Sequence, residues 1–191
     1  LRGHTPPSII NFFVWIYHRI RGVQIHTTTI IYLKAKLLRY VNKINLKENV
    51  IIKSNAQICA CNKDSKITIG KNSTIGYYTF IYSSENIEIG DDCMIAPFVY
   101  IVDSDHGIDI NSKMNTQDNE TSSIKIGDDV GMSGLIIACA ESISIGNRVM
   151  IGANVTISDT DSHAINYQYR HPKYFGIDNN FIEPVIFNKK N

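Results

Sequence analysis

Leucine is scarce in this chain, whose 191 residues contain 6 Leu against 33 Ile and 10 Val. Isoleucine is stiff at its first side-chain torsion and packs well on pleated surfaces, whereas helix bundles rely on Leu and Ala. The composition therefore disfavours a mostly helical fold. A run of 18 apolar residues is also missing from the sequence, so no transmembrane helix is predicted.

Charge of one sign and metal-binding spacings are lacking as well. The chain has 19 Lys and Arg against 18 Asp and Glu, so its net charge attracts neither nucleic acid nor an anionic membrane, and no nucleic-acid partner is expected. The cysteines lack C-x-x-C spacing and the six histidines include no close pair, so no metal is expected. We interpret the cysteines as small buried residues in a reducing, cytoplasmic compartment (Cys59, Cys61, Cys93 and Cys139).

A six-residue phrase repeats from residue 67 onward: an aliphatic residue, usually Gly, two variable residues, a small or branched residue, then any residue. Its copies begin at Ile69, Ile75, Ile89, Ile95, Ile126, Met132, Ile145 and Ile151, and weaker copies begin at Ile25, Ile31, Leu46, Ile52 and Ile58. A period of six fits a coil of three short strands, in which the aliphatic residue points inward and a residue without bulk follows at the corner. The sequence therefore predicts an all-β fold, a parallel β-helix of hexapeptide repeats.

The repeat also predicts where each coil begins and where the coil is interrupted. Coils are expected to start near Ile25, Leu46, Ile69, Ile89, Ile126 and Ile145, and to stack at the strand spacing of roughly 4.8 Å. Residues 102–123 and 158–183 lack the repeat, and we expect them to be loops extruded from the coil. The predicted division is a helical segment over residues 1–24 and a β-helix domain over residues 25–191.

The N-terminal segment has a different pattern. Ser8 is a candidate cap for a helix that runs to Ile20 and carries a large apolar face. Arg19, Arg21 and His18 lie near its end, where cations complement the helix dipole. We expect this helix to cap the open first coil or to pack on a neighbouring subunit. The alternative is contact with a membrane surface through the same apolar face and the basic residues.

Both predicted loops begin with the same phrase, an inward Ile followed by two acidic residues and a His. These residues are Asp103, Asp105 and His106 in the first loop, and Asp159, Asp161 and His163 in the second. Neighbouring acids favour the charged form of a His and orient its ring for proton abstraction. The four Asp residues either orient the ring or bind a substrate, or they only shape the turn through hydrogen bonds to the backbone.

The segment from Cys93 to Asp109 resembles the active-site segment of the maltose, galactoside and nodulation-factor O-acetyltransferases, of the hexapeptide-repeat acyltransferase family. The stretch from Val130 through His163 to Arg170 resembles another branch of that family, linked to polysaccharide acetylation. The resemblance implies a left-handed parallel β-helix and a homotrimer. It also implies that acetyl-CoA and a saccharide acceptor meet in a cleft between two subunits.

The resemblance further implies roles for individual residues. Those expected to bind substrate are Asp103, Asp105, Ser133, Asp159, Asp161 and Arg170, and those expected to bind the coenzyme are Ser133, Gly134, Gly152 and Ala153. One departure from the family is Gly76, which occupies the slot where the maltose-type enzymes have an acceptor-binding Asn. The matching slot before the second loop holds Ser133. The sequence around His106 therefore matches the family more closely, whereas His163 has a hydrogen-bonding residue, Ser133, in the acceptor-binding slot.

A sugar hydroxyl is a poor nucleophile near neutral pH, so transfer from a thioester needs a base within hydrogen-bond reach of that hydroxyl. His106 or His163 is the candidate base, and no covalent intermediate is required. Together with the resemblance, these residues predict an acetyl-CoA-dependent O-acetyltransferase acting on a polysaccharide or oligosaccharide precursor. One alternative is N-acetyl transfer to an amino sugar. The other is a non-catalytic β-helix scaffold, and this second alternative is supported by the Gly76 departure and by the few coils after the second loop.

Overall fold

A computed structural model of the chain describes residues 8–107 and 113–159. One α-helix, α1 (Ile9–Ile20), precedes a series of short strands. In chain order the strands are β1 (Gln24–Ile25), β2 (Ile30–Ile31), β3 (Lys36–Arg39), β4 (Ile44–Leu46), β5 (Ile51–Ile52), β6 (Gln57–Ala60), β7 (Lys66–Ile69), β8 (Thr74–Ile75), β9 (Phe80–Ser83), β10 (Asn86–Ile89), β11 (Met94–Ile95), β12 (Tyr100–Val102), β13 (Ser104–His106), β14 (Asn119–Thr121), β15 (Ser123–Ile126), β16 (Gly131–Met132), β17 (Ile136–Ala138), β18 (Ser142–Ile145), β19 (Met150–Ile151) and β20 (Thr156–Ser158).

Three parallel sheets of six strands form the faces of a β-solenoid with six turns. Face A has the order β1-β4-β7-β10-β15-β18, face B the order β2-β5-β8-β11-β16-β19, and face C the order β3-β6-β9-β12-β17-β20. Each strand pairs with the equivalent strand of the next coil, so the hydrogen bonds run along the solenoid. The predicted fold class, a parallel β-helix of hexapeptide repeats with a short N-terminal helix, is confirmed.

The register of face A confirms the predicted start of every coil. Ile25 pairs with Leu46, Leu46 with Ile69, Ile69 with Ile89, Ile89 with Ile126, and Ile126 with Ile145. Equivalent aliphatic ladders line the other two faces, and most of their members are fully buried. Because the branched side chains stack directly on one another, they fill the narrow interior of each coil and hold the strands in register.

Glycine occupies the second slot of the repeat because the coils approach closely there. A Cβ added at Gly70 would lie 2.3 Å from the carbonyl carbon of Gly90, and one added at Gly76 would lie 2.5 Å from that of Ala96. These glycines do not adopt the left-handed backbone conformation, which is found at other residues of the corner, such as Asn72 (φ 58°). Asn and Asp tolerate that conformation. The predicted residue without bulk is therefore required by stacking and not by the turn itself.

Helix α1 caps the open side of the first coil. Its first turn has a capping box, in which the Ser8 side chain accepts from the backbone N–H of Asn11 and the Asn11 side chain accepts from that of Ser8. Asn11 Nδ2 donates to the carbonyl of Ile31 at 3.1 Å, and Trp15 Nε1 donates to that of His26 at 3.0 Å. These side chains satisfy carbonyls at an edge that no further coil covers.

The first predicted loop contains structure that the sequence did not predict. Residues 102–123 include an antiparallel pair, in which Ser104 faces Thr121 and His106 faces Asn119. The second predicted loop lies almost entirely outside the described residues.

Within the part of the chain that the structure describes, no helix is long and apolar enough to cross a membrane. All four cysteines are free thiols, and Cys59, Cys93 and Cys139 are buried as predicted, whereas Cys61 is half-buried.

Candidate active site

His106 lies where face C opens into the first loop. Strand β12 ends at Val102, and the chain then leaves the coil through β13, which pairs with β14 on its return. The space between this pair and face C is a cavity of about 330 Å³, whose lining includes Tyr100, Ser104, Asp105, His106, Asn119 and Cys139. Asp105 and His106, the candidate residues of the first loop, therefore lie at the rim of a concave surface.

The ring of His106 is held in one orientation by two groups. Its Nδ1 lies 3.2 Å from the carbonyl oxygen of Gly107. Because a carbonyl oxygen only accepts, Nδ1 must carry the proton for this hydrogen bond to form, and Nε2 then has the lone pair. Nε2 lies 3.9 Å from Oδ1 of Asp105, and the side chain is 53% exposed. The ring is thus accessible and has a carboxylate beside it.

The other titratable groups of the cavity are neutral near pH 7. Burial raises the pKa of the Tyr100 phenol, so its hydroxyl remains a hydrogen-bond donor. Burial, together with the Asp159 carboxylate, raises the pKa of the Cys139 thiol to about 12. A thiol that stays protonated is a poor nucleophile, so this cysteine fits a structural role.

Asp103 is fully buried and shapes the turn of the preceding coil. Its carboxylate accepts from Ser83 Oγ at 2.6 Å, from the backbone N–H of Ser84, and from that of Glu85 at 3.0 Å. Burial raises the pKa of Asp103 above its ordinary value although these hydrogen bonds oppose the shift. The geometry favours the turn-shaping alternative over sugar binding, because no face of this carboxylate reaches solvent.

Asp159 repeats this arrangement two coils further on. Its carboxylate accepts from the backbone N–H groups of Ala140 (2.8 Å), Glu141 (2.8 Å) and Ser142 (2.6 Å), and from Cys139 Sγ (3.3 Å). Partial burial acts to raise the pKa of the Asp159 carboxyl. The hydrogen bonds from the three backbone N–H groups and the Cys139 thiol outweigh this effect, so the pKa lies below its ordinary value. The first Asp of each duplicated phrase therefore closes the turn of the coil before it.

Glu85 holds the stem of the loop that carries His106. Its carboxylate accepts from Thr121 Oγ1 at 3.0 Å and from Ser123 Oγ at 3.4 Å. The backbone N–H of Ser122 donates to the carbonyl of Asp103 at 3.0 Å. Both ends of the loop are thus tied to the same corner of the coil, which fixes the position of β13 and its histidine.

The four predicted coenzyme-binding residues share a different corner, between faces B and C. Gly134 adopts a left-handed backbone (φ 53°), its N–H donates to the carbonyl of Pro97, and a Cβ added there would lie 3.3 Å from Cβ of Ala153. The N–H of Ser133 donates to the carbonyl of Ile151. Ser133 and Gly134 are half-buried, whereas Gly152 and Ala153 are exposed.

Within one chain the structure does not bring this corner to His106. The four residues and the loop lie at opposite edges of face C, and none of the four lines the cavity beside His106. An Asn, such as the acceptor-binding Asn of the maltose-type enzymes, does not fit at position 76, because any Cβ there would clash with the backbone of Ala96 and Pro97. Within one chain, face C therefore separates this corner from the cavity beside His106.

Three predicted site residues, Asp161, His163 and Arg170, lie outside the described residues. In the described ranges, no group of three or more His, Cys, Asp or Glu is placed to hold a metal ion. Larger concave spaces lie away from His106: two grooves of about 600 and 530 Å³ along α1, and one of about 640 Å³ on face A. We place the candidate site by its chemistry, because these grooves lack an exposed His beside a carboxylate.

Sequence reasoning missed Asn119, Tyr100 and Glu85. Asn119 meets His106 only through antiparallel pairing in a segment without repeats, and no local pattern indicates that pairing. Tyr100 could have been found, because it is the outward-facing residue two positions before Val102 on the last strand before the loop. Glu85 acts through residues more than 35 positions away.

Comparisons with known proteins agree with the fold. No protein-family model matches the chain, and no curated protein matches it. The solved structure of AntD, an N-acyltransferase from Bacillus cereus, in complex with dTDP and 3-hydroxybutyryl-CoA is 22% identical over 76% of this chain and 80% of AntD, with a TM-score of 0.62. A variant of AntD in complex with dTDP-4-amino-4,6-dideoxyglucose and coenzyme A gives the same values.

The polySia-specific acetyltransferase NeuO is 20% identical over 73% of this chain and 82% of its own, with a TM-score of 0.37. That score is too low to carry an argument. At 22% identity, the similarity to AntD shows the fold alone.

Proposed function

We propose that this protein is an acyl-CoA-dependent acyltransferase that moves an acetyl group to a hydroxyl of a saccharide. The observation that carries the proposal is His106, an exposed imidazole at the rim of a cavity, with Nδ1 at the carbonyl of Gly107 and Nε2 near Asp105. The resemblance of the segment around His106 to O-acetyltransferases supports it. The fold shared with AntD, an N-acyltransferase crystallised with coenzyme A, is consistent with it.

In the proposed reaction, Nε2 of His106 takes the proton of the acceptor hydroxyl while its oxygen attacks the thioester carbonyl carbon. The tetrahedral intermediate then collapses, the carbon–sulfur bond breaks, and the imidazolium returns its proton to the leaving thiolate. The carboxylate of Asp105, 3.9 Å from Nε2, stabilises the positive charge on the ring between these steps. Tyr100 and Asn119 line the same cavity, and in this proposal the Tyr100 hydroxyl and the Asn119 amide donate hydrogen bonds to the acceptor.

The proposed site is shared between copies of the chain in a homotrimer. His106 lies at one edge of face C, and the corner formed by Ser133, Gly134, Gly152 and Ala153 lies at the other. Around a threefold axis, one copy presents its loop to the corner of the next copy. In this arrangement the corner binds acetyl-CoA, while His106 of the adjacent copy meets the acceptor. Asp161, His163 and Arg170 remain candidates for the same cleft.

Thiol release from acetyl-CoA tests the proposed reaction. We expect turnover with at least one neutral sugar in a panel of sugars and amino sugars, and mass spectrometry of the product should show an added acetyl group. Alkaline hydroxylamine should remove that group, because it cleaves O-acetyl esters and leaves acetamides intact.

Two other outcomes would contradict the proposal. Turnover confined to amino sugars, with a product that resists hydroxylamine, would mean N-acyl transfer as in AntD. An absence of turnover, together with no coenzyme binding in calorimetry, would mean a non-catalytic scaffold.

A further inference from the structure

The outer side of α1 is apolar and open to solvent. The side chains of Ile9, Ile10, Phe12, Phe13, Tyr17 and Ile20 are each at least 50% exposed, and Ile20 reaches 80%. Leu33 of the first coil is 64% exposed and lines the same groove as Phe13 and Tyr17. The opposite side of α1 is the one that caps the coil, since Val14 and His18 are buried there.

The charge of the chain is divided unequally along its length. The first 47 residues contain eight Lys and Arg and no acidic residue, and Glu48 is the first acid. The remaining residues contain eleven Lys and Arg against eighteen Asp and Glu. The near-neutral total, which led us to expect no attraction to an anionic membrane, is therefore the sum of a cationic segment over residues 1–47 and an acidic remainder.

The basic and apolar residues lie together in space. Lys36 and Arg21 line the groove that contains Phe13 and Tyr17, and the Arg21 guanidinium lies 5.2 Å from the centre of the Tyr17 ring. Lys34 and Lys36 are exposed. His18 adds no charge near pH 7, because burial, together with the neighbouring Arg21, lowers its pKa to about 4. Cations thus border the apolar face, and no acid lies among the described residues before Glu48.

We propose that α1 and the first coil dock on the surface of an anionic lipid bilayer. The helix has 12 residues, too few to span a bilayer, but a short helix with a large apolar face beside Lys and Arg is suited to lie in the interface. Anionic headgroups complement these cations. Each Lys or Arg near such a surface increases the partitioning of the protein onto the membrane by about fivefold. A second copy that met this face with its own would bring like charges together.

Sedimentation with lipid vesicles tests this proposal on the full chain. We expect binding to vesicles with about one third phosphatidylglycerol and much weaker binding to pure phosphatidylcholine, with a loss of binding at high salt. The double substitution Lys34→Gln with Lys36→Gln should reduce partitioning by about 25-fold. Its matched control is Lys71→Gln with Lys125→Gln, two exposed lysines outside this region, which should bind as the wild type does.

A second pair of variants separates lipid binding from self-association. Phe12→Ser with Phe13→Ser should abolish vesicle binding and leave the thermal melt and the mass in light scattering unchanged, since both rings are exposed. The proposal is overturned if the wild type does not bind anionic vesicles, or if it binds neutral vesicles equally well. It is also overturned if the Phe pair lowers the mass but leaves vesicle binding intact, because the face would then be an interface between copies.

Discussion

Asp103 and Asp159 hold equivalent positions, each directly after a strand of face C and above the turn of the coil before it. In the sequence they appear in the same phrase as the candidate histidines, so that phrase alone does not distinguish a ligand-binding acid from a structural one. The structure identifies Asp103 and Asp159 as structural acids, because both carboxylates accept hydrogen bonds from several backbone N–H groups of the preceding turn. Asp105 is the acid that faces the ring of His106.

Substitution of Asp103 by Asn should destabilise the protein. The amide places two donors where the carboxylate accepts from Ser83, Ser84 and Glu85, so at least one buried donor loses its acceptor. We expect a loss of about 1–3 kcal/mol in the free energy of unfolding, measured with urea. Asp64→Asn, at an exposed position, is the control and should change this free energy by less than about 0.5 kcal/mol. Equal effects would contradict the turn-closing role.

The two carboxylates should also give pH dependences of opposite sign. The pKa of Asp159 is lowered in the folded state, so its stabilisation is present above its ordinary value of 3.8 and is lost as the pH falls through the folded value. The pKa of Asp103 is raised, so its contribution is greatest below 3.8 and is lost as the pH rises through the folded value.

Urea unfolding of the wild type, Asp103→Asn and Asp159→Asn between about pH 3 and 6 measures this dependence. The difference between the wild type and Asp159→Asn should grow with pH, and the difference between the wild type and Asp103→Asn should shrink. Slopes of the same sign in the two comparisons would contradict the assignment.

Among the elements, the strands of the coil were predictable and the loop was not. The period of six identifies each inward residue, and because each coil stacks on the last, the same period fixes the register of Ile69, Ile89 and Ile126. The pair β13 and β14 follows no repeat and is held by side chains distant in sequence, such as Glu85. The sequence therefore located His106 at the mouth of a loop but could not indicate Asn119 as its neighbour.

The glycines of the repeat allow a direct test of coil stacking. Gly76→Ala would place a methyl group 2.5 Å from the carbonyl carbon of Ala96 and 2.6 Å from the nitrogen of Pro97. Since backbone atoms must move to admit it, we expect a loss of at least about 1–3 kcal/mol.

Gly146→Ala is the matched control, because an added Cβ there has no atom of the described residues within 4 Å. It should change the free energy of unfolding by less than about 0.5 kcal/mol. Thermal melts of the two variants make the comparison, and equal shifts would show that stacking does not select glycine.

At the scale of the whole molecule, the solenoid separates the two halves of the proposed site. Face C lies between the loop with His106 and the corner with Gly134 and Ala153, so the proposed base and the proposed coenzyme site lie at different edges. A repeat architecture of this kind presents equivalent edges to neighbouring copies, so symmetry can complete what a single chain leaves open. Light scattering should therefore give three times the chain mass of 21.5 kDa.

Mixed assemblies test whether the site is shared. His106→Ala removes the proposed base, and Ala153→Trp obstructs the exposed corner, so each variant alone should be inactive. If each site takes its loop from one copy and its corner from the next, co-refolding equal amounts should restore about one quarter of the wild-type turnover, since about one interface in four combines two intact halves. No recovery would mean that each chain builds its own site.

The most direct test of the central claim is kcat/KM for acetyl-CoA-dependent turnover in His106→Ala, with His26→Ala as control because His26 is also exposed but lies on the first coil. If His106 is the base, its loss should lower kcat/KM by about 10² to 10⁴-fold, while His26→Ala keeps the wild-type value. Wild-type activity in His106→Ala, with activity lost instead in His163→Ala, would contradict the assignment and identify the second histidine as the base.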